Sequence, residues 1–236
     1  KRIKIPCDFK ILVVNDGSTD KTEKIARDND ALVITHYQNL GVGGAIKTGY
    51  LACRLLQPKM VITIDADGQH DPSYIPEIIK EIENGADIVY GTRFAKESKY
   101  KTSSVRLVGN KFYSKLVSRL GKIKITDVTS GYRAIRYSRL PDVYFIAETN
   151  FAIELALRAS KNQLKITEIS TAAKPRVHGQ SQLYRIEKFF AYNFNAIIQI
   201  INGLFRSQKL SEPWVKLYQK TIMLKVDFIY ISRNCN

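Results

Sequence analysis

The chain has 236 residues, 44% of them hydrophobic, which suffices for one large globular domain and excludes an intrinsically disordered protein. Its net charge of +15 indicates anionic partners, but the basic residues are dispersed and form no recognised nucleic-acid-binding motif, so no nucleic acid is expected. The three cysteines lack the spacing of a metal site or a disulfide framework, and no uninterrupted apolar stretch of about 18 residues predicts a membrane span.

Strand-like and helix-like patterns alternate along most of the chain. The predicted strands are 9–14, 31–35, 60–64, 87–90, 132–137 and 164–169. The predicted helices are 21–27, capped by Thr19 or Asp20, then 41–56, 73–82, 103–120 and 151–160. This alternation predicts an α/β fold with a mostly parallel sheet flanked by helices.

The pattern changes after residue 182. Apolar residues then recur at helical spacing between basic ones, at Ile186, Phe189, Phe190, Phe194, Ile197, Ile198, Ile201, Leu204 and Phe205. Such a helix either packs on the core or lies on an anionic membrane surface. We therefore predict a globular domain in residues 1–182 and an amphipathic helical segment in 183–236. The stretch 210–236 is too weakly patterned for a prediction of its fold.

Two carboxylates, Asp65 and Asp67, follow the apolar run 60–64 and precede a turn-rich stretch. Residues two apart on a strand point to the same side, so both carboxylates are expected to face one point at the carboxyl end of that strand. Paired oxygen donors suit Mg²⁺ or Mn²⁺ bound to a diphosphate. A solvated pair of aspartates in a turn is the alternative.

Six short motifs follow one another in residues 9–182. They are VNDGSTD at 14–20, NLGVGGA at 39–45, DADGQHDP at 65–72, GTRF at 91–94, DVTSGYRA at 127–134 and RVHGQS at 176–181. The series resembles the inverting GT-A glycosyltransferases of family 2, and within these the polyprenyl-phosphate (dolichyl-phosphate) mannosyl- and glucosyltransferases. The resemblance implies a GT-A, Rossmann-like fold and transfer of a hexose from GDP-mannose or a UDP-hexose such as UDP-glucose.

On the donor side, the resemblance implies that Asp16 contacts the nucleobase or ribose, with Gly17 and Ser18 beside it. Gly43 and Gly44 would allow the backbone to approach the nucleotide closely. A turn or cap residue at Asp16, and a flexible turn before a helix at the glycines, are the alternatives.

The resemblance also implies a metal site. Asp65 and Asp67 would hold Mg²⁺ or Mn²⁺ with Gln69 as a further ligand, and Ala66 would line the substrate site. The two aspartates count as catalytic, because the cation offsets the negative charge that develops on the departing nucleoside diphosphate. His70 is expected to be structural or a hydrogen-bond donor.

Guanidinium groups match phosphate oxygens, which makes four arginines candidates for binding phosphate. These are Arg93 and Arg133, which we also count as catalytic, together with Arg106 and Arg176. Ser130 would shape the loop on the acceptor side. Because the chain has 37 basic residues, a solvated surface charge is the alternative for each arginine.

The acceptor class decides whether a general base is needed. A polyprenyl phosphate is already anionic at neutral pH and needs only positioning and charge screening, whereas a sugar hydroxyl needs a base. Asp127 and Glu148 are the candidates for such a base in a polysaccharide or glycolipid glycosyltransferase. A catalytically inactive module that binds a membrane or a protein partner is the third possibility.

The sequence departs from the family pattern at its start. Family members begin with a strand that lies inside the sheet, and residues 1–6 resemble the end of the helix that follows it. We therefore expect a GT-A domain without its first strand, unpaired edges on the neighbouring strands, and uncertain activity of this chain by itself. For a polyprenyl-phosphate acceptor we expect peripheral association with the cytoplasmic face of a membrane, or otherwise a cytoplasmic protein.

Overall fold

The helices and strands follow the predicted order. The computed structural model describes residues 5, 7–94, 104–144, 151–174, 198, 200, 201 and 226–235. The helices are α1 (Thr22–Asp28), α2 (Gly41–Leu56), α3 (Ile75–Glu83), α4 (Ser104–Gly121) and α5 (Phe151–Lys161). The strands are β1 (Cys7–Asn15), β2 (Leu32–Thr35), β3 (Met60–Thr63), β4 (Ile88–Thr92), β5 (Arg133–Arg136), β6 (Ile166–Ser170) and β7 (Val226–Cys235). A three-residue 3-10 helix (Pro72–Tyr74) precedes α3, and a seven-residue one (Tyr137–Val143) follows β5.

The seven strands form one sheet in the order β2-β1-β7-β3-β5-β4-β6. The pairs β1–β2 and β4–β6 are parallel, and β5 and β7 are antiparallel to both of their neighbours. The strands β1, β2, β3, β4 and β6 therefore share one direction, which agrees with the predicted α/β sheet. The antiparallel β5 begins at the edge of the sheet where β3 ends, because Arg133 is in register with Thr63.

Strand β7 corrects the expectation of unpaired strand edges. It lies between β1 and β3, with Ile231 in register with Lys10 on one side and Val61 on the other. Because both ladders are formed, the facing edges of β1 and β3 are covered in this structure. The sequence of β7, VDFIYISRNC, is rich in β-branched and aromatic residues, and its strand corrects the helical prediction for this part of 183–236.

Side chains on the two faces of the sheet enter separate apolar clusters. Val61 packs with residues of α2, α4 and α5, whereas Met60 and Ile62 pack with the isoleucines of α3. This alternation follows from the two-residue period of a strand, and it explains why the run 60–64 is apolar throughout. Both faces of β3 are thus buried.

Most of the predicted amphipathic segment lies outside the described residues. Residues 198, 200 and 201 are helical; Ile200 packs against the core, while Ile198 and Ile201 are exposed. The domain boundary at residue 182 stays a prediction, although β7 from the C-terminal segment belongs to the sheet. Within the part of the chain that the structure describes, no helix combines the length and the apolar composition needed to cross a membrane.

The position of β7 can be tested with a proline. We expect Ile231→Pro to lower the free energy of unfolding by on the order of 3 kcal/mol, because proline cannot donate a ladder hydrogen bond in an inner strand. Ile231→Val, which keeps the N–H group and the β-branched side chain, is the control. Equal urea midpoints for the two variants would show that β7 is not an inner strand.

Candidate active site

Four polar segments meet at one edge of the sheet. Residues 16–18 follow β1, residues 65–70 follow β3 and Arg93 follows β4, while residues 125–132 precede the antiparallel β5. These segments meet because β1, β3 and β4 end where β5 begins. Clefts at the carboxyl ends of strands are the usual ligand sites of open α/β sheets.

Asp65 lies directly against the backbone of Gly131. A Cβ atom at position 131 would be 2.5 Å from Cγ and 2.6 Å from Oδ1 of Asp65, so only glycine leaves room for the carboxylate in its present position. Thr63 joins the same two segments, since its hydroxyl donates to the Gly131 carbonyl at 3.1 Å. The strand ends at Thr63, so local packing rather than strand alternation orients Asp65.

His70 lies behind Asp65. Its Nε2 is 3.5 Å from Asp65 Oδ2, and its buried ring lies 5.3 Å from the Tyr132 ring, centroid to centroid. Partial burial raises the pKa of Asp65, although its side chain is still 46% exposed. The hydrogen bond with His70 and the charges of His70, Arg133 and Arg93 lower that pKa by more, so the net shift is downward. Asp65 is therefore held as a carboxylate at neutral pH, as a ligand for a cation requires.

The loop after Asp65 is held by hydrogen bonds within the loop and from Lys174. The Gln69 amide N–H donates to Asp67 Oδ1 at 3.0 Å, and the Gln69 carbonyl accepts from the Lys174 amide at 2.8 Å. Lys174 Nζ binds Asp71 Oδ2 at 2.7 Å, and this contact together with hydrogen bonds from Ser73 lowers the pKa of Asp71 to about 2. Asp67 and Gln69 are half-buried and Ala66 is exposed, so the loop lies at the rim of the cleft.

Arg93 forms a bidentate ion pair with Asp127. Arg93 Nε and Nη2 lie 2.7 and 2.8 Å from the two carboxylate oxygens, and the Arg93 amide also donates to Asp127 at 3.1 Å. The Asp127 side chain is fully buried and that of Arg93 is 13% exposed. A carboxylate held in this way is unsuited to accept a proton from a substrate, so the geometry argues against Asp127 as a general base.

Arg133 is a buried cation beneath the cleft. Its guanidinium carbon lies 4.8 Å from the centre of the Phe151 ring and 5.6 Å from that of Tyr90, and Nη2 donates to the Ser130 carbonyl at 2.5 Å. Nε and Nη1 have no hydrogen-bond partner among the described residues. Arg133 therefore acts on Asp65 through its charge, and direct contact with a phosphate stays a prediction.

Sequence reasoning missed the partners of Asp16. His36 is buried, with Nδ1 2.7 Å from Asp16 Oδ1 and Nε2 2.8 Å from the hydroxyl of Thr48. The Leu40 amide donates to the same Asp16 oxygen at 2.7 Å, and the Asn39 side chain donates to the Asp16 carbonyl at 2.6 Å. The side chain of Asp16 is thereby fixed at the entrance to α2. A histidine after a strand gave no local pattern that would have identified this contact.

The three predicted donor-side glycines have different backbone surroundings. Gly17 has a φ of +95°, which side-chain-bearing residues rarely adopt, and it packs against Asn39 beside the half-buried Ser18. Gly43 and Gly44 are buried in the first turn of α2, where a Cβ at 44 would be 2.6 Å from the Cβ of Leu40. Gly44 therefore packs closely against Leu40, the residue that precedes its own helix.

Of the remaining predicted site residues, only Ser130 has a side chain that the structure describes. Ser130 is fully buried and donates to the Gly91 carbonyl at 2.6 Å, so it braces the 125–132 loop rather than facing the cleft. Arg106 lies in α4, but its side chain is not among the described ones, and Arg176 and Glu148 lie outside the described residues. Over the described ranges, no three His, Cys, Asp or Glu side chains gather as a metal-binding group.

The solved structures most similar in shape include glucosyl-3-phosphoglycerate synthase from Mycobacterium tuberculosis in complex with Mn²⁺, uridine diphosphate and phosphoglyceric acid. It superposes with a TM-score of 0.60 at 16% identity, over 84% of this chain and 68% of that one. The same enzyme in complex with uridine diphosphate alone gives 0.60 at 17% identity, over 94% and 78%. At this level of identity the likeness defines the fold, which is that of the GT-A glycosyltransferases.

The sequence defines the family. Residues 3–143 match the model described as glycosyl transferase family 2, and the chain belongs to that family of glycosyltransferases. An uncharacterized protein of Methanocaldococcus jannaschii is 31% identical over 81% of both chains. The UDP-N-acetylglucosamine–dolichyl-phosphate N-acetylglucosaminyltransferase of Methanococcus voltae is 33% identical over 67% of this chain and 72% of that one. The dolichyl-phosphate hexose transferase of Haloferax volcanii is 31% identical over 73% of both chains.

The buried ion pair beside the cleft can be tested by removing one charge. We expect Asp127→Asn to lower the free energy of unfolding by about 3 kcal/mol, because it leaves Arg93 buried without a counter-charge. Asp142→Asn is the matched control, since Asp142 forms a partly exposed pair with Arg139 at 3.6 Å, worth less than about 1 kcal/mol. Similar losses for both variants in chemical denaturation would contradict the structural role of the buried pair.

Proposed function

We propose that this glycosyltransferase moves a hexose from a nucleoside-diphosphate sugar to a polyprenyl (dolichyl) phosphate, with inversion and with a divalent cation. The observation that carries the proposal is the ionised Asp65, seated against Gly131 at the edge of the sheet where four polar segments meet. The relatives from Methanococcus voltae and Haloferax volcanii, whose names include dolichyl phosphate, support the choice of acceptor.

The residues present fit a magnesium or manganese ion. Asp65, Asp67 and Gln69 offer only oxygen ligands, and Mg²⁺ is commonly held by one or two carboxylates together with substrate phosphates, which suits a site with few protein ligands. When bound, such an ion acts as a Lewis acid that stabilises the departing nucleoside diphosphate. His70 would keep the Asp65 carboxylate oriented, in the way that a hydrogen-bonding neighbour orients a metal ligand.

Asp16 is the proposed contact for the nucleoside. Its carboxylate is fixed by His36 and by the Leu40 amide, so its orientation is set before a donor arrives. Preorganisation of this kind lowers the entropic cost of binding. Gly17 and Ser18 flank it on the same loop. Both GDP-mannose and UDP-glucose are compatible with this arrangement, and the Mycobacterium tuberculosis neighbour was solved with UDP-glucose.

The ion pair of Arg93 with Asp127 favours a phosphate acceptor. A hydroxyl acceptor needs a general base, and of the two candidates Asp127 is buried and bound to Arg93 on both oxygens. A phosphate monoester is already a nucleophile, so the chain needs only to screen its charge and to direct it at the anomeric carbon. Arg93, Arg106, Arg133 and Arg176 are the proposed phosphate-binding arginines, of which Arg93 is charge-matched by Asp127. The enzyme would work as a peripheral protein at an anionic membrane surface.

The reaction itself can be tested with a donor screen. Each radiolabelled sugar nucleotide is incubated with the protein, Mg²⁺ or Mn²⁺ and a polyprenyl phosphate, and label is measured in the organic phase. We expect one donor to give metal-dependent lipid label that Asp67→Ala reduces by about 100-fold or more, since it removes a proposed metal ligand. Asp28→Ala is the control, because Asp28 forms only an exposed pair with Lys24 on α1.

Three outcomes of that screen have distinct meanings. If label reaches a glycan or glycolipid added in a parallel incubation but never reaches the lipid phosphate, the proposed acceptor is replaced. Lipid label that survives both chelation of metal and Asp67→Ala would refute the proposed metal site. Absence of organic-phase label with every donor would contradict the proposed transfer to a polyprenyl phosphate by this chain.

The position of Asp65 can be tested separately with an added methyl group. We expect Gly131→Ala to displace the Asp65 carboxylate and weaken metal-dependent binding of the sugar nucleotide at least tenfold, whereas stability changes by less than about 2 kcal/mol because the half-exposed carboxylate can rotate. Gly109→Ala is the control, since nothing lies within 4 Å of a Cβ at that position in α4. Unchanged nucleotide affinity in Gly131→Ala, measured by calorimetry, would contradict the placement of Asp65 at the donor site.

A further inference from the structure

We propose that the outward face of α4 docks the enzyme on an anionic phospholipid membrane. This face, called here the α4 outer face, consists of Val108, Lys111, Phe112, Lys115 and Arg119. The residues are spaced three, four, seven and eleven positions from Val108, so they lie along one side of the helix. All five are exposed, with Val108 at 66% and Phe112 at 60%.

The α4 outer face carries apolar and basic side chains, and both stabilise contact with an anionic bilayer. Val108 and Phe112 form adjacent apolar side chains one turn apart, which suit insertion at the level of the lipid headgroups. Lys115 and Arg119 continue the same stripe with positive charge, and Lys111 flanks it. The sequence of α4 contains no aspartate or glutamate, so nothing on the helix itself offsets these charges.

Helix α1 shows what an ordinary solvated helix of this protein is like. It also exposes an apolar residue, Ile25 at 58%. Its basic residues are neutralised within the helix, because Lys24 pairs with Asp28 at 2.7 Å and Arg27 with Glu23 at 2.8 Å. By contrast, none of the salt bridges between described residues involves Lys111, Lys115 or Arg119.

The buried side of α4 connects this face to the active site. The Ser114 hydroxyl accepts from the Val128 amide at 3.1 Å, and Ser118 exchanges hydrogen bonds with the backbone of Ile125. These bonds hold the 125–132 loop, in which Asp127 binds Arg93. A membrane contact on the α4 outer face would therefore hold the acceptor side of the cleft near the bilayer that contains a polyprenyl phosphate.

The inference rests on the proposed function for its biological purpose, but its test does not. The full chain is mixed with vesicles of phosphatidylcholine, with or without phosphatidylglycerol, and the bound fraction is measured by sedimentation without donor or acceptor. We expect binding only to the anionic vesicles. Lys115→Ala with Arg119→Ala should weaken it about thirty-fold, as expected for two surface cations, and Phe112→Ser about tenfold.

Matched changes on α1 control for general loss of charge or apolar surface. Lys24→Ala with Arg27→Ala removes the same two kinds of cation, and Ile25→Ser removes a similarly exposed apolar side chain. Both should leave vesicle binding within about twofold of the unmodified chain. Thermal unfolding of every variant within a few degrees of the unmodified chain shows that the fold is intact. Sugar-nucleotide affinity is measured in parallel, so that failure of the proposed function is seen separately.

Several results would overturn the assignment. Equal vesicle binding by the α4 variants and the unmodified chain would place the membrane contact elsewhere, for example in residues 186–205. Absence of any binding to anionic vesicles would reject a membrane partner. Loss of binding to single-stranded RNA in the α4 variants, with vesicle binding unchanged, would assign the face to nucleic acid instead.

Discussion

The register between β3 and β5 is the constraint on which the candidate active site depends. Thr63 lies opposite Arg133, so the segment that leaves β3 and the segment that enters β5 are forced together at one edge of the sheet. Asp65 then meets the backbone of Gly131, and Arg133 comes to lie beneath both. A slip of this register by one residue would turn Arg133 to the other face and separate these groups.

Charge is distributed differently inside the site and on the outside of the protein. Inside, Asp127 is matched on both oxygens by Arg93, whereas Arg133 lies between two aromatic rings and donates to the Ser130 carbonyl. Burial makes such groups expensive to leave unpaired, so they define one arrangement of the loops. On the outside, the excess basic residues are exposed to solvent, where their charge attracts anionic partners.

The helix α4 joins these two environments. Its inner side contributes Tyr113 and Val117 to the main apolar cluster and braces the 125–132 loop through serine hydroxyls. Its outer side carries exposed apolar and basic residues. Helix α4 thus contacts the loop beside the cleft on one side and solvent on the other. A surface on its outer side is therefore well placed to position the cleft relative to the acceptor.

The sequence by itself determined the order and type of the elements through α5 and β6, because local periodicity indicates them. It also determined the GT-A class and the carboxylates at the end of β3, because short motifs identify these. It did not reveal β7, although VDFIYI has the composition of a strand, since pairing partners far away in the chain decide whether such a segment joins a sheet. The pairs Asp16–His36 and Arg93–Asp127 were equally hidden, because each joins residues that only the fold brings within hydrogen-bonding distance. Burial was also a tertiary outcome: the sequence marked Arg133 as a candidate for binding phosphate, but only the packing of Tyr90 and Phe151 around it removed it from the surface.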